Sequence, residues 1–119
     1  MPCPNPILLV EHHPDVRTVI HEALSHHGYT AIPAPSVKWA VHELEHMEPP
    51  GLILLDDGLA EERDALLAYL RTQPALSEVP IVLLTMSERY PKGRGVRAVL
   101  RKPFPLDALV DVVEAHCQH

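Results

Sequence analysis

No apolar run in this chain approaches the length needed to cross a bilayer. The amino terminus, Met1-Pro2-Cys3-Pro4-Asn5-Pro6, has neither a basic region nor a signal-like apolar segment. We therefore expect a cytoplasmic protein with no membrane partner. Positive charge is in deficit: the net charge is -6 and the isoelectric point is near 5.8. That balance excludes an electrostatic nucleic-acid footprint. There are only two cysteines, Cys3 and Cys117. Their spacing forms no metal or redox motif, and in a reducing compartment we expect free thiols lying at the same end of the domain. Repeats and low-complexity linkers are absent as well. The thirteen prolines cluster where elements should end.

What is present is enough apolar residue for a core. Of 119 residues, 46% are hydrophobic, which predicts one domain spanning residues 1–119. Its organising stretch is Leu52-Ile53-Leu54-Leu55-Asp56. Four apolar residues bounded by Pro49-Pro50-Gly51 and Asp56-Asp57-Gly58 read as a strand buried on both faces. Such strands belong to parallel sheets covered by helices. A carboxylate at the carboxyl end of one sits where open α/β sheets do their chemistry.

The other elements follow in order. Ile7-Leu8-Leu9-Val10 is a buried strand, and Pro14 suits the first turn of the helix after it. Val16, Val19, Ile20, Ala23 and Leu24 give that helix its stripe, and Gly28 stops it. Tyr29 to Pro33 reads as an edge strand. Ser36 caps a second helix, with stripe Val37, Ala40, Val41, Leu44 and Met47. Leu66, Leu67 and Leu70 mark a third helix. Val79 to Thr85 and Val96 to Leu100 are strands. Pro91, Gly93 and Gly95 leave room for only a short fourth helix between them. Leu106, Leu109, Val110, Val113 and Cys117 mark the last helix. Right-handed crossovers fold this pattern into a doubly wound, flavodoxin-like α/β sheet. Five parallel strands in the order 2-1-3-4-5, with helices on both faces, bring Glu11, His12 and Asp56 to its switch point.

Four segments in this order carry a resemblance: Ile7–Glu11, Leu52–Asp56, Val79–Thr85 and Lys102-Pro103-Phe104. Over nearly its whole length the chain resembles the receiver domain of bacterial response regulators. The resemblance implies that Asp56 accepts a phosphoryl group from a sensor histidine kinase, with Thr85 bonding that group and Lys102 pairing with it. It implies a cis bond before Pro103, and Mg²⁺ held by two acidic residues after the first strand, by Asp56 and by the Gly58 carbonyl. Phosphoryl transfer asks for this kind of positioning and charge neutralisation.

The sequence also departs from the pattern. The acidic pair is Glu11-His12, so an imidazole stands where a direct metal-binding aspartate is expected. Mg²⁺ is a hard ion that prefers oxygen, so its binding is expected to be weak. Met86 replaces a small residue and is expected to shield Asp56. Val99 replaces the aromatic residue that moves between states, and Ala60 replaces a proline. Thr85 and Lys102 stand closer together than the pattern leads one to expect, which again shortens the fourth helix. These departures point to a degenerate receiver, a pseudo-receiver acting through protein–protein contact with a histidine kinase or another signalling protein. The alternative is a fully competent Mg²⁺-dependent phosphoacceptor. A reading of another class, a zinc hydrolase, rests on His42-Glu43-Leu44-Glu45-His46. Those histidines point away from the buried stripe, together with Trp39, so we expect a solvated face there.

Overall fold

The computed structural model describes residues 3–58, 60–88, 93 and 95–117. The elements in chain order are β1 (Ile7–Val10), α1 (Pro14–His26), β2 (Ala31–Ala34), α2 (Val37–His46) and β3 (Leu52–Asp56). There follow α3 (Ala60–Thr72), β4 (Ile81–Thr85), β5 (Val96–Arg101) and α4 (Leu106–His116). The strands form one five-stranded sheet in the order β2-β1-β3-β4-β5. Every pairing is parallel, with Val10 beside Leu55 and Asp56 beside Leu84. The register therefore brings the carboxyl ends of β1, β3 and β4 level with one another. A doubly wound flavodoxin-like sheet is thus the fold, as its periodicity predicts.

Side-chain alternation along the strands sorts the core into two layers. Ile7, Leu9, Leu52, Leu54, Val82 and Leu84 point to one face and pack with Ile20 and Leu24 of α1 and Leu109 and Val113 of α4. Leu8, Val10, Ile53, Leu55, Ile81 and Leu83 point to the other and pack with Ala40 and Leu44 of α2 and Leu66, Leu67 and Leu70 of α3. The same alternation, carried one residue past each strand, decides which polar groups meet above the sheet.

Local signals place most element ends. Pro14 opens α1, and Gly28 follows it at φ +87°. Ser36 Oγ accepts the Trp39 N–H at 3.2 Å and caps α2. β2 begins at Ala31 rather than Tyr29, because the Tyr29 N–H is already spent on Leu24 O at the exit of α1. β4 begins at Ile81 rather than Val79 for a similar reason: the Val79 N–H closes a turn onto Leu76 O. Val19 belongs to the apolar stripe of α1 by spacing, yet it is 47% exposed. The expected short fourth helix falls largely on residues 89–92 and 94, which lie outside the described residues. The described residues on either side of them, 86–88 and 95, are not helical. Among the described residues no helix is long and apolar enough to cross a membrane.

The cysteines require a correction. Cys3 and Cys117 do lie at the same end, since the parallel strands start there and α4 runs back to it. They are not free thiols, however: the two form a disulfide with a Cα–Cα distance of 5.8 Å. Both are buried in the layer beneath α1 and α4, so the bond ties the ends of the chain together across the core. Sequence spacing carried no sign of this, because the pairing depends on where α4 docks.

Candidate functional site

Glu11, Asp56 and Lys102 share the parity of Leu9, Leu54 and Leu100, and the fold brings them together on the α1/α4 side. Lys102 Nζ donates to Asp56 Oδ1 and to Glu11 Oε2, each at 2.9 Å. The Glu11 side chain is fully buried and the Asp56 side chain is 8% exposed, so a single ammonium is shared by two desolvated carboxylates. Burial by itself would lower the Lys102 pKa. Hydrogen bonds and charge from Asp56 and Glu11 outweigh burial and hold it above its ordinary value. The Lys102–Pro103 bond is cis, and the Lys102 N–H donates to Thr85 O at 2.8 Å.

His12 closes the other side of Asp56. Its Nδ1 lies 2.6 Å from Asp56 Oδ2. That oxygen is buried and accepts no hydrogen bond among the described residues, so the imidazole touches it without being aligned as a donor. Gly58 supports the ring from below: a Cβ on it would come within 2.7 Å of His12 Cε1 and 3.1 Å of Asp56 Oδ2. A cavity of about 20 Å³, room for one water-sized occupant, is bounded by Val10, His12, Asp56, Gly58 and Arg63, among others.

One of these donors departs from what Mg²⁺ prefers, because His12 presents nitrogen rather than oxygen. Of the four carboxylate oxygens, Glu11 Oε2 and Asp56 Oδ1 are engaged by Lys102. Glu11 Oε1 accepts the His13 N–H at 3.2 Å. Asp56 Oδ2 accepts no hydrogen bond among the described residues, and it faces an imidazole rather than another oxygen. A hard ion gains little from that nitrogen.

A second group, whose Asp57 and Arg63 sequence reasoning missed, lies on the α2/α3 side. Asp57 and Thr85 continue the parity of Leu55 and Leu83 and so project to the opposite face from Asp56. Thr85 Oγ1 donates to Asp57 Oδ2 at 2.9 Å, while Ser87 N–H donates to Thr85 Oγ1 at 3.0 Å. Arg63, from the first turns of α3, pairs with Asp57 Oδ1 and with Asp64 Oδ1. Burial would lower the Arg63 pKa, but bonds to both aspartates raise it above the usual guanidinium value. Thr85 thus reaches Asp57 rather than Asp56. The adjacent Asp56-Asp57 pair was visible in the sequence; strand alternation was the available signal that only one of them could join Lys102.

The remaining candidates separate. Met86 is 78% exposed and lines an apolar groove with Val16, Val19, Phe104 and Leu106. Lys102 borders the same groove, whereas the cavity beside Asp56 is bounded by other residues. Val99 packs into the α2/α3 layer. His42 and His46 lie exposed on α2, their rings 4.6 Å apart, with Trp39 beside His42. Among the described residues no third metal-ligating side chain joins them. The cluster that does bring three such side chains together is Glu11, His12 and His13, whose ligand atoms lie within 4.8 Å of one another.

Comparison with known proteins agrees with this geometry. The family model of the response regulator receiver domain matches residues 7–114. No curated protein matches. Among solved structures, the receiver domain of a signal transduction histidine kinase from Syntrophus aciditrophicus is 27% identical; the match covers 93% of this chain and 88% of that one, with a TM-score of 0.80. The receiver domain of a sensor histidine kinase from Pseudomonas aeruginosa, with a magnesium ion coordinated in its active-site cleft, is also 27% identical. It covers 94% of this chain and 96% of that one, again with a TM-score of 0.80. Chemotaxis protein CheY4 of Vibrio cholerae, at 21% identity, shares the fold with a TM-score of 0.84 over 94% of this chain and 98% of that one. The strand order, the switch-point carboxylates and the match over residues 7–114 lead to one conclusion: this chain belongs to the response regulator receiver domain family.

Proposed function

We propose that this receiver is a degenerate one, a non-enzymatic signalling module that works chiefly by protein–protein contact. Asp56 is its candidate phosphoacceptor, with Lys102 as the cation that would pair with a phosphoryl group there. The observation that carries the reading is the His12 imidazole 2.6 Å from Asp56 Oδ2, where a metal-binding carboxylate is expected. Glu11, Asp56 and the Gly58 carbonyl are the remaining metal ligands of the proposal, and they are too few for firm Mg²⁺ binding. Borderline ions such as Zn²⁺ accept imidazole nitrogen, so metal preference shifts toward them. A sensor histidine kinase or another signalling protein is the partner class. Val19, Met86 and Leu106 expose large apolar side chains around the groove that Lys102 borders, and a protein that reaches Asp56 would cover them. The competent reading is favoured by one observation, the Lys102–Asp56 contact, which a working phosphoacceptor site also requires.

Titration with Mg²⁺ and treatment with acetyl phosphate, read by calorimetry and intact mass, separate the two. We expect weak Mg²⁺ binding and no phosphoryl adduct in the wild type. His12→Asp should tighten Mg²⁺ by at least about tenfold, since it restores an oxygen ligand and a negative charge. Firm Mg²⁺ binding by the wild type, unchanged by His12→Asp, would establish the competent receiver instead.

A further inference from the structure

We propose that Asp57, pinned by Arg63, latches the Thr85 hydroxyl and withholds its one proton from any oxyanion held at Asp56. The proposal rests on reading Asp56 as the acceptor and goes beyond it, because the lost metal ligand and the latch are separate obstacles. A threonine hydroxyl has a single proton to donate. Here that proton is directed to Asp57 Oδ2 at 2.9 Å. The oxygen's accepting side is occupied by the Ser87 N–H at 3.0 Å. Both roles of the hydroxyl are therefore filled on the face of the sheet away from Asp56.

The partner is strong as well as near. The Asp57 side chain is 4% exposed and the Arg63 side chain 14% exposed, so their ion pair is largely out of water. The Asp57 backbone is fixed too, its N–H donating to Leu84 O at 2.9 Å. A hydrogen bond to a charged acceptor is roughly twice as strong as one between neutral groups. To bond a phosphoryl oxygen, Thr85 must give up this carboxylate and leave it without the hydroxyl. Among the described residues Arg63 is its only remaining side-chain partner. The equilibrium for that turn is lowered by about 10- to 100-fold, the factor such a bond is worth. Asp57 acts through Thr85 and is a positioning residue.

A double-mutant cycle on the free full chain tests this, combining Asp57→Ala with Thr85→Val and following unfolding in urea. The two substitutions should be coupled by about 10- to 100-fold in the unfolding constant; additivity within about twofold overturns the latch. Should Asp57→Ala not fold, Asp57→Asn replaces it, with a smaller but non-zero coupling expected. A second readout is one that a merely structural role would not move. In the His12→Asp chain with Mg²⁺, beryllofluoride should bind about tenfold more tightly once Asp57 is replaced. It should also shift the Thr85 methyl resonance only in that variant. Equal affinity and equal shifts with Asp57 present reject the latch. A His12→Asp chain that binds no Mg²⁺ counts against the metal reading above, and the cycle then decides the latch alone.

Discussion

Replacing Lys102 with methionine lowers the unfolding free energy by about 3–5 kcal/mol near neutral pH, the range expected when one partner of a buried ion pair is removed. The magnitude follows from what is left behind. Glu11 is fully buried and Asp56 nearly so, and Lys102 is the ammonium between them at 2.9 Å from each. Without it, two neighbouring carboxylates lose their common counter-charge. The pH dependence gives a second check. The Lys102 pKa is raised on folding, so its contribution is fully present below about 10.5, its ordinary value, and is lost as pH rises through the folded value. The stability gap between wild type and Lys102→Met should therefore be flat to about pH 10 and then narrow. Tyr29, whose pKa is raised by burial and then by the charge of Glu114, also loses stability in alkali. It does so in both chains and cancels in the difference. Chemical denaturation at a series of pH values measures this; a gap below about 1 kcal/mol near neutrality, the worth of an exposed pair, rejects the buried-pair account.

Reduction of the Cys3–Cys117 disulfide has the second large effect, up to about 5 kcal/mol in the chain-entropy account for a loop of this length. The bond joins residues 114 positions apart, so it restricts nearly the whole unfolded chain. Thermal unfolding with and without a strong thiol reductant, compared with Cys3→Ser, should show the same loss in both cases. Reductant should then have no further effect on the variant. A reductant-insensitive midpoint in a chain shown by thiol titration to be fully oxidised beforehand would refute the estimate.

The sequence by itself determined the fold through periodicity. Three buried runs, Ile7–Val10, Leu52–Leu55 and Val79–Thr85, and a further strand, Val96–Leu100, alternate with amphipathic stripes, and right-handed crossover permits few arrangements of such a pattern. The resemblance carried by Lys102-Pro103-Phe104 implied in addition that Lys102 pairs with a group held at Asp56. Ser36, Pro14 and Gly28 placed helix ends through local chemistry that needs no tertiary partner. Tertiary structure alone decided the rest. Strand parity, available in the sequence, lets only one of the two adjacent aspartates join Lys102, but packing decided that the other pairs with Thr85 and with Arg63 of α3. Where Met86 lies depends on the path after β4, which carries it to the groove beside α1 that Lys102 also borders. The sequence placed Cys3 and Cys117 at one end, but whether they bond depends on the docking of α4 that brings their Cα atoms to 5.8 Å. Each of these is a contact between residues distant in sequence, set by how elements pack rather than by what any one element prefers.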